Sequence, residues 1–327
     1  MLGDVEAMVF LGEMYKEGLG VKLDKKKAER LYRMAADRGD AVAQCNVGKL
    51  LDSEKKHEEA FRYYALAADQ GYAPGETLLG ICYDDGEGTE VDLGKARYWF
   101  ERAAAKGFED AIKNLTTLDA RKAAKIYRRA VELGDVEAMT NLAILHDRGG
   151  SGVNHDKKKA ERLYRAAADR GDAVAQTNLG DAYRRGWLGL VKSDKKAAKI
   201  WKRAVQLGNV DAMTFLGGLY MQGSGVKLDK KKAARLCRAA ADRGHAFAQN
   251  NLGVLFASEQ KLEEAFRYYA LAADQGLTTG ENNLGCCYRD GRGTEVDLGK
   301  ARYWFERAAA KGDEDAIESL ALLDARV

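Results

Sequence analysis

Residues 208–244 read GNVDAMTFLGGLYMQGSGVKLDKKKAARLCRAAADRG, and this segment contains one complete structural unit. Apolar and small residues in its first half recur three or four positions apart, which predicts an amphipathic helix. The glycines at 223 and 225 end that helix. Asp229 is suited to cap a second helix, which Gly244 ends. The stretch therefore predicts two helices joined by a glycine-rich turn, named helix A and helix B below.

The same pattern recurs along all 327 residues. Repeat units begin near residues 3, 39, 71, 107, 134, 171, 208, 244, 276 and 312. One helix pair cannot bury its apolar face alone, so neighbouring pairs must stack. The sequence therefore predicts an all-α solenoid, in which residues 1–327 form a single continuous array of nine helix-turn-helix units and a terminal half unit.

The recurring residues resemble the Sel1-like repeat, a relative of the tetratricopeptide repeat. Helix A carries a Leu-Gly pair, the loop reads Gly-x-Gly-Val, and an Asp precedes a helix B that is rich in lysine and alanine. The resemblance implies a right-handed α/α superhelix whose concave surface is built mainly from the A helices. It also implies a scaffold or adaptor, the role that members of this family typically have.

Three units depart from the common length. The units that begin near 39 and 244 have shorter turns, SEKKHEEA (53–60) and SEQKLEEA (258–265), in place of the glycine-rich loop. The unit that begins near 107 lacks the loop altogether. We therefore expect its helix B to begin near Asp119 and the superhelix to be irregular near residues 116–122.

A glycine recurs inside helix A, where it costs about 1 kcal/mol relative to alanine. This recurrence predicts a packing role, because a residue without a Cβ lets helix B approach closely. We also expect Trp99, Trp201 and Trp304 to share one core position on helix B. The recurring glycines are Gly12, Gly48, Gly80, Gly180, Gly217, Gly253 and Gly285.

A longer block is duplicated at a separation of 205 residues, since residues 89–107 recur unchanged as 294–312. The second copy therefore tests any candidate site in the first. His57 has Leu262 at the matching place, and the acidic loop 84–90 (DDGEGTE) becomes RDGRGTE. Because motifs for catalysis and nucleotide binding are also missing, we expect no catalytic residue, no metal site and no cofactor.

Charge and hydropathy argue against two classes of partner. Lys and Arg number 53 against 50 Asp and Glu, a net charge of +3, so no strong field attracts nucleic acid. Three lysine runs, at 25–27, 157–159 and 230–232, begin B helices and are expected to be solvated. No stretch approaches the roughly 18 apolar residues of a membrane span. We expect neither nucleic-acid binding nor membrane insertion.

The five cysteines are odd in number and irregular in spacing, which is not the pattern of a disulfide framework. We expect buried free thiols, which indicate a reducing compartment and an intracellular, cytoplasmic protein. The cysteines are Cys45, Cys82, Cys237, Cys286 and Cys287.

An asparagine recurs at one place on helix A, immediately before the Leu-Gly pair or its equivalent. In the related tetratricopeptide domains, an asparagine at the matching place holds the backbone of a bound peptide. Alternatively, the amides bond within the solenoid and bridge neighbouring units. The asparagines are Asn46, Asn114, Asn141, Asn178, Asn251 and Asn283. Groove candidates one helical turn further on are Arg148, Asp181, Arg184, Arg185, Met221, Arg289 and Asp290, and their mixed charges favour a polar, extended ligand.

These observations favour a non-catalytic scaffold that binds a protein or peptide segment in a groove formed by the A helices. Two alternatives stay open: a structural spacer within a larger protein, and a hydrolase. The final A helix, with Ile317, Leu320 and Leu323, has no helix B after it in the sequence. We therefore expect an uncovered apolar face there that promotes self-association.

Overall fold

The computed structural model describes residues 4–149 and 153–324. These residues form eighteen α-helices and no β-strand, apart from an isolated bridge at Val153. The all-α prediction is confirmed for this part of the chain. In order the helices are α1 (Val5–Glu17), α2 (Lys25–Ala36), α3 (Ala41–Ser53), α4 (His57–Asp69), α5 (Ala73–Asp85), α6 (Leu93–Ala104), α7 (Glu109–Glu132), α8 (Val136–Arg148), α9 (Lys157–Asp169), α10 (Ala173–Arg185), α11 (Asp194–Gln206), α12 (Val210–Gln222), α13 (Lys230–Ala241), α14 (Ala246–Ser258), α15 (Leu262–Asp274), α16 (Thr278–Asp290), α17 (Leu298–Ala309) and α18 (Glu314–Asp324).

The chain divides into two compact units. The first comprises the residues up to Ile126 and the short segment Gly149–His155, and the second comprises Tyr127–Arg148 and the residues from Asp156 onward. Within the first unit, α1–α2, α3–α4 and α5–α6 pack as hairpins. Within the second, the hairpins run from α8–α9 to α16–α17, and α18 lies against α17. Inside each unit, helix B of one hairpin also contacts helix A of the next, so the hairpins stack as predicted.

Capping residues mark where the helices of each hairpin begin and end. In α2, the Oδ1 atom of Asp24 accepts a hydrogen bond from the backbone amide of Lys27 at 3.0 Å. Such a cap stabilises a helix by about 1 kcal/mol. At the end of α1, Gly18 takes the left-handed conformation with φ of 73°, which stops the helix. The three lysine runs lie in the first turns of α2, α9 and α13, as predicted.

The glycines inside the A helices make room for a large side chain of helix B. A Cβ added at Gly180 would lie 2.3 Å from Nε1 of Trp201, and one added at Gly48 would lie 2.5 Å from the ring of Tyr64. Both rings are almost completely buried. The predicted packing role of these glycines is therefore confirmed: the space of the missing Cβ is occupied by an aromatic ring at six of the seven and by Sγ of Cys237 at Gly217.

The expectation that Trp99, Trp201 and Trp304 share one core position is wrong for two of them. In those two units the core position is one residue further along the chain. Opposite Gly80 the buried ring is Phe100, and opposite Gly285 it is Phe305. Trp99 and Trp304, one residue earlier, are only half-buried. Because successive helical residues point about 100° apart, these two side chains flank the position that Trp201 fills in its own unit.

The two shortened turns predicted from the sequence are present. Only residues 54–56 separate α3 from α4, and residues 259–261 separate α14 from α15. Lys55 and Gln260 each take the left-handed conformation there, with φ of 62°. Each of these hairpins therefore closes through one tight turn without glycine.

The unit that begins near residue 107 differs from its prediction. Helix α7 runs without interruption from Glu109 to Glu132, so no separate helix B begins near Asp119. The segment 116–122 contains neither glycine nor proline, and nothing in it ends a helix. The irregularity expected there takes the form of one long helix in place of a helix-turn-helix pair.

Helix α18 is partly covered. Leu323 is buried with α17, whereas Ile317 is 52% exposed. The matching residue of the first copy, Ile112 in α7, is 48% exposed although the helix continues well past it. Exposure at this position therefore belongs to the repeat itself. The apolar surface that the second copy adds comes from Leu322, which is 54% exposed and replaces Thr117.

All five cysteines are free thiols in the structure, and Cys286 is the one that is not fully buried. None of the described helices combines the length and apolar character that crossing a bilayer requires.

Candidate functional site

The six asparagines lie on A helices and are all half-buried. Four of the asparagines stand two residues before the packing glycine of their helix, as Asn178 stands before Gly180. Two residues correspond to a rotation of about 200° around a helix. The asparagine therefore points away from helix B of its own hairpin. The helices that carry the asparagines are α3, α7, α8, α10, α14 and α16.

Three of the amides have polar partners within the protein. Asn178 lies within reach of the hydroxyl of Tyr164, and Asn251 within reach of the thiol of Cys237, and each amide acts to lower the pKa of that group. Tyr164 and Cys237 belong to helix B of the preceding hairpin, so these two contacts join neighbouring hairpins. Burial raises the pKa of the Cys237 thiol to about 11, and the contact with Asn251 opposes that shift. In α16, Nδ2 of Asn283 donates to Oδ1 of Asn250 in α14 at 2.9 Å.

Two amides in the first unit stand at the edge of surface depressions. Within the described residues, the side chains of Asn46 and Asn114 make no hydrogen bond. Asn46 lines a depression of about 830 Å³ between α1 and α3, together with Val9 and Phe10. Phe10 is 70% exposed. Asn114 lines a second depression of about 300 Å³ with Leu78 and other residues of α5.

The first depression is lined by apolar and acidic side chains. Val5, Val9, Phe10 and Val42 lie beside four carboxylates, of which one, Glu13, pairs with Lys16 at 3.1 Å. These surroundings favour a ligand with an apolar side chain and a positive charge. The four carboxylates are Asp4, Glu6, Glu13 and Asp40.

The charged groove candidates of the second unit are partly paired with each other. Nε of Arg185 lies 2.9 Å from Asp181, and Nε of Arg289 lies 2.7 Å from Asp290. Ion pairs at the surface are worth at most about 1 kcal/mol, so a ligand could replace either partner. The candidates also differ in exposure: Arg148 and Arg185 are exposed, whereas Arg184, Met221 and Arg289 are half-buried.

Sequence reasoning missed one cluster. Nδ1 of His57 lies 2.7 Å from Asp52 and 3.9 Å from Glu87. The three residues come from three different elements and span 35 positions, so no local motif links them. The duplicate of His57 is Leu262, and this comparison shows only that the fold does not need a histidine there.

The helical hairpins stack on one another, with small residues at the contacts between helix A and helix B and asparagines at one recurring place on the A helices. These features define an α/α repeat protein. A family model described as "Sel1 repeat" matches nine segments of the chain, and the chain belongs to the Sel1 repeat family. The resemblance inferred from the sequence is thus confirmed. The matched residues are 5–40, 41–72, 73–108, 114–135, 136–172, 173–209, 210–245, 246–277 and 279–313.

Individual relatives match parts of the chain. "DAP3-binding cell death enhancer 1" of Rattus norvegicus is 37% identical over 97 residues, which are 29% of this chain and 19% of that protein. "Chitin synthase regulator SKT5" of Saccharomyces cerevisiae is 30% identical over 125 residues, 36% of this chain and 18% of that protein. The chain thus spans about a fifth of the length of these two relatives.

A solved structure matches nearly the whole chain. It is a protective antigen of uropathogenic Escherichia coli strains with an SLR fold. The two chains are 29% identical, with a TM-score of 0.58, over 97% of this chain and 71% of the antigen.

Proposed function

We propose that this protein is a non-catalytic scaffold that binds a peptide segment of another protein on the A-helix face of its first unit. The observation that carries the proposal is the position of Asn46 and Asn114: two half-buried amides without an intramolecular hydrogen bond, each at the edge of a depression with apolar walls. Two relatives, one named as a DAP3-binding enhancer of cell death and the other as a regulator of chitin synthase, support a role without chemistry of its own.

The chemistry of the two depressions indicates the kind of peptide. An asparagine side chain offers both a donor and an acceptor, so it can pair with a backbone amide whatever the ligand's side chains are. Phe10 and Val42 then provide contact for an apolar side chain. The carboxylates around them favour a neighbouring lysine or arginine. The second depression is lined instead by Lys49 and Lys113 beside one carboxylate, Asp110. The proposed ligand is therefore an extended or helical segment whose part at Asn46 carries apolar and basic residues.

The test uses peptides selected from a random library on the wild-type protein. The double variant N46A/N114A should weaken binding of a selected peptide 5-fold to 150-fold, since each lost hydrogen bond costs about 0.5–1.5 kcal/mol. The matched control is N178A/N251A, in which two asparagines at the equivalent place already have polar partners within the protein. Fluorescence anisotropy gives both affinities. Equal affinities for wild type and N46A/N114A would contradict the proposal.

A structural spacer is the second candidate, and one observation favours it. Asn178, Asn251 and Asn283 all hold neighbouring helices together rather than standing free. If selection yields no peptide whose affinity depends on Asn46 or Asn114, a structural spacer is the better explanation. We further propose a reducing, cytoplasmic location, which the five free thiols support.

A further inference from the structure

Three side chains with metal-ligand chemistry meet between the second and third hairpins. Asp52 lies near the end of α3, His57 is the first residue of α4, and Glu87 follows α5. One ligand atom of each lies within 4.8 Å of the other two. Nδ1 of His57 is 2.7 Å from an oxygen of Asp52 and 3.9 Å from an oxygen of Glu87.

A single imidazole nitrogen cannot serve both carboxylates. Nδ1 carries at most one proton, and at 2.7 Å the carboxylate of Asp52 is placed to accept it. The carboxylate of Glu87 is then left close to that of Asp52, and like charges at this distance repel each other. A divalent cation between the three groups would neutralise both carboxylates and use the nitrogen lone pair.

The hydroxyl of Tyr64 and the thiol of Cys82 are buried groups whose pKa values are affected by these carboxylates. The hydroxyl of Tyr64 is buried and has no hydrogen-bond partner within the described residues. Its pKa is raised, mainly by burial and further by Asp52 and Glu87. Burial, with the same two carboxylates, also raises the pKa of the Cys82 thiol to about 12.

The backbone fixes the separation of the three ligands. The tight turn at Lys55 spans residues 54–56 and brings Asp52, near the end of α3, close to His57, the first residue of α4. The loop that carries Glu87 lies against the first turn of α4, so closely that a Cβ at Gly88 would be 2.2 Å from the carbonyl oxygen of His57. Three ligands held in this way meet the main requirement of a metal site, which is preorganisation.

The second copy of the duplicated block shows the same backbone without the ligands. A Cβ at Gly293 would lie 2.1 Å from the carbonyl oxygen of Leu262, so the loop meets the helix in the same way. Leu262 stands in place of His57, and the other two ligand positions hold Ala257 and Arg292. Arg292 pairs with Asp290 at 3.0 Å instead. The fold therefore does not require the ligand set.

We propose that Asp52, His57 and Glu87 bind one Zn²⁺ ion. One imidazole and two carboxylates form a ligand set that zinc accepts, and the remaining coordination positions would be open to water or to a side chain of a bound partner. The ion ties the turn between α3 and α4 to the loop after α5, and so joins two neighbouring hairpins.

The duplication supplies both the variant and the control. D52A/H57L/E87R gives the first copy the residues of the second, and A257D/L262H/R292E does the reverse. After removal of metal with EDTA, Zn²⁺ titrated at neutral pH and followed by calorimetry should show one site fewer in the first variant than in the wild type. The second variant should show one site more. Background binding to other histidines and thiols is common to all three proteins.

Equal Zn²⁺ stoichiometry in the wild type and D52A/H57L/E87R would overturn the proposal, as would the absence of a gain in A257D/L262H/R292E. Circular dichroism establishes that each variant is folded. Should the triple variant unfold, H57L alone decides, because leucine already stands at this place in the second copy. Loss of one site in folded H57L supports the proposal, and an unchanged site count overturns it.

Discussion

The indole of Trp201 fills the space that a side chain on residue 180 would need. A Cβ at Gly180 would lie 2.3 Å from Nε1, and that same nitrogen donates to the carbonyl oxygen of Thr177 at 3.0 Å. The ring is buried and anchored at its polar atom, so it cannot swing aside cheaply. The contact between helix A and helix B at this point depends on a glycine.

Gly180→Ala should therefore destabilise the protein. Overpacking of a core costs about 1–3 kcal/mol, and this outweighs the helix propensity that alanine gains. Gly218→Ala is the control, because a Cβ there meets nothing within 4 Å inside a helix. It should stabilise α12 by about 1 kcal/mol or less. Urea denaturation gives both values, and a stabilised Gly180→Ala would refute the packing argument.

The second prediction concerns a buried glutamate with one lysine and one arginine partner, an arrangement that occurs in both copies of the duplicated block. The carboxylate of Glu76 is fully buried, 2.8 Å from Nζ of Lys106 and 3.1 Å from Arg102. Lys106→Met leaves a buried carboxylate with one partner and should cost about 3 kcal/mol, near the low end for a broken buried pair because the lysine is partly exposed. In the second copy, Lys311→Met beside Glu281 should cost a similar amount.

The control for this triad removes the charges of Glu76 and Lys106 and leaves Arg102, whose side chain is partly exposed. Glu76→Met together with Lys106→Met leaves no unpaired carboxylate, so the double variant should be more stable than Lys106→Met alone. Denaturation midpoints of the three variants test this order. If the double variant were the least stable, the carboxylate of Glu76 would stabilise the folded protein by more than its pairing with Lys106.

Buried thiols should make stability depend on alkaline pH. Burial raises the pKa of Cys82 to about 12 and those of Cys237 and Cys287 to about 11, against an ordinary value of 9.0. A group whose pKa is higher in the folded state contributes stability below its unfolded pKa, and this contribution is lost as the pH rises through the folded value. The free energy of unfolding should therefore fall between about pH 9 and pH 11.

Urea denaturation at pH 7, 9 and 10 measures this loss, and Cys237→Ala should reduce it. A free energy of unfolding that does not change with pH in this range would contradict the assigned burial. At pH 8, a thiol reagent should titrate all five cysteines in the unfolded protein and react slowly with the folded one, because the thiolate is the reactive form.

The sequence predicted what depends on local pattern, and missed what depends on helical register or long-range contact. The packing glycines were recognised because each recurs at a fixed place in helix A. The assignment of Trp99 to the core failed because Phe100 beside it is also large and apolar, and one residue changes the direction by about 100°. The cluster of Asp52 and His57 with Glu87 depends on a loop meeting a helix, which no spacing reveals.

Self-association should involve the exposed face of α18. Leu322 is 54% exposed where the first copy has Thr117, so this apolar surface is specific to the second copy. Leu322→Thr should weaken any concentration-dependent association seen by sedimentation velocity. Thr117→Leu is the matched control in α7. A protein that remains monomeric at high concentration would show that this face attracts no second copy.

The asparagines should separate into two groups when stability is measured. Asn178 and Asn251 face Tyr164 and Cys237 of the preceding hairpins, and replacing them removes a polar partner from each of these buried groups. N178A/N251A should therefore lower the free energy of unfolding by about 1–3 kcal/mol, at roughly 0.5–1.5 kcal/mol for each polar contact. N46A/N114A removes no internal hydrogen bond and should leave the melting temperature nearly unchanged. Thermal denaturation followed by circular dichroism makes the comparison. If N46A/N114A melted as early as N178A/N251A, all of the amides would be structural, and the proposed peptide site in the first unit would lose its basis.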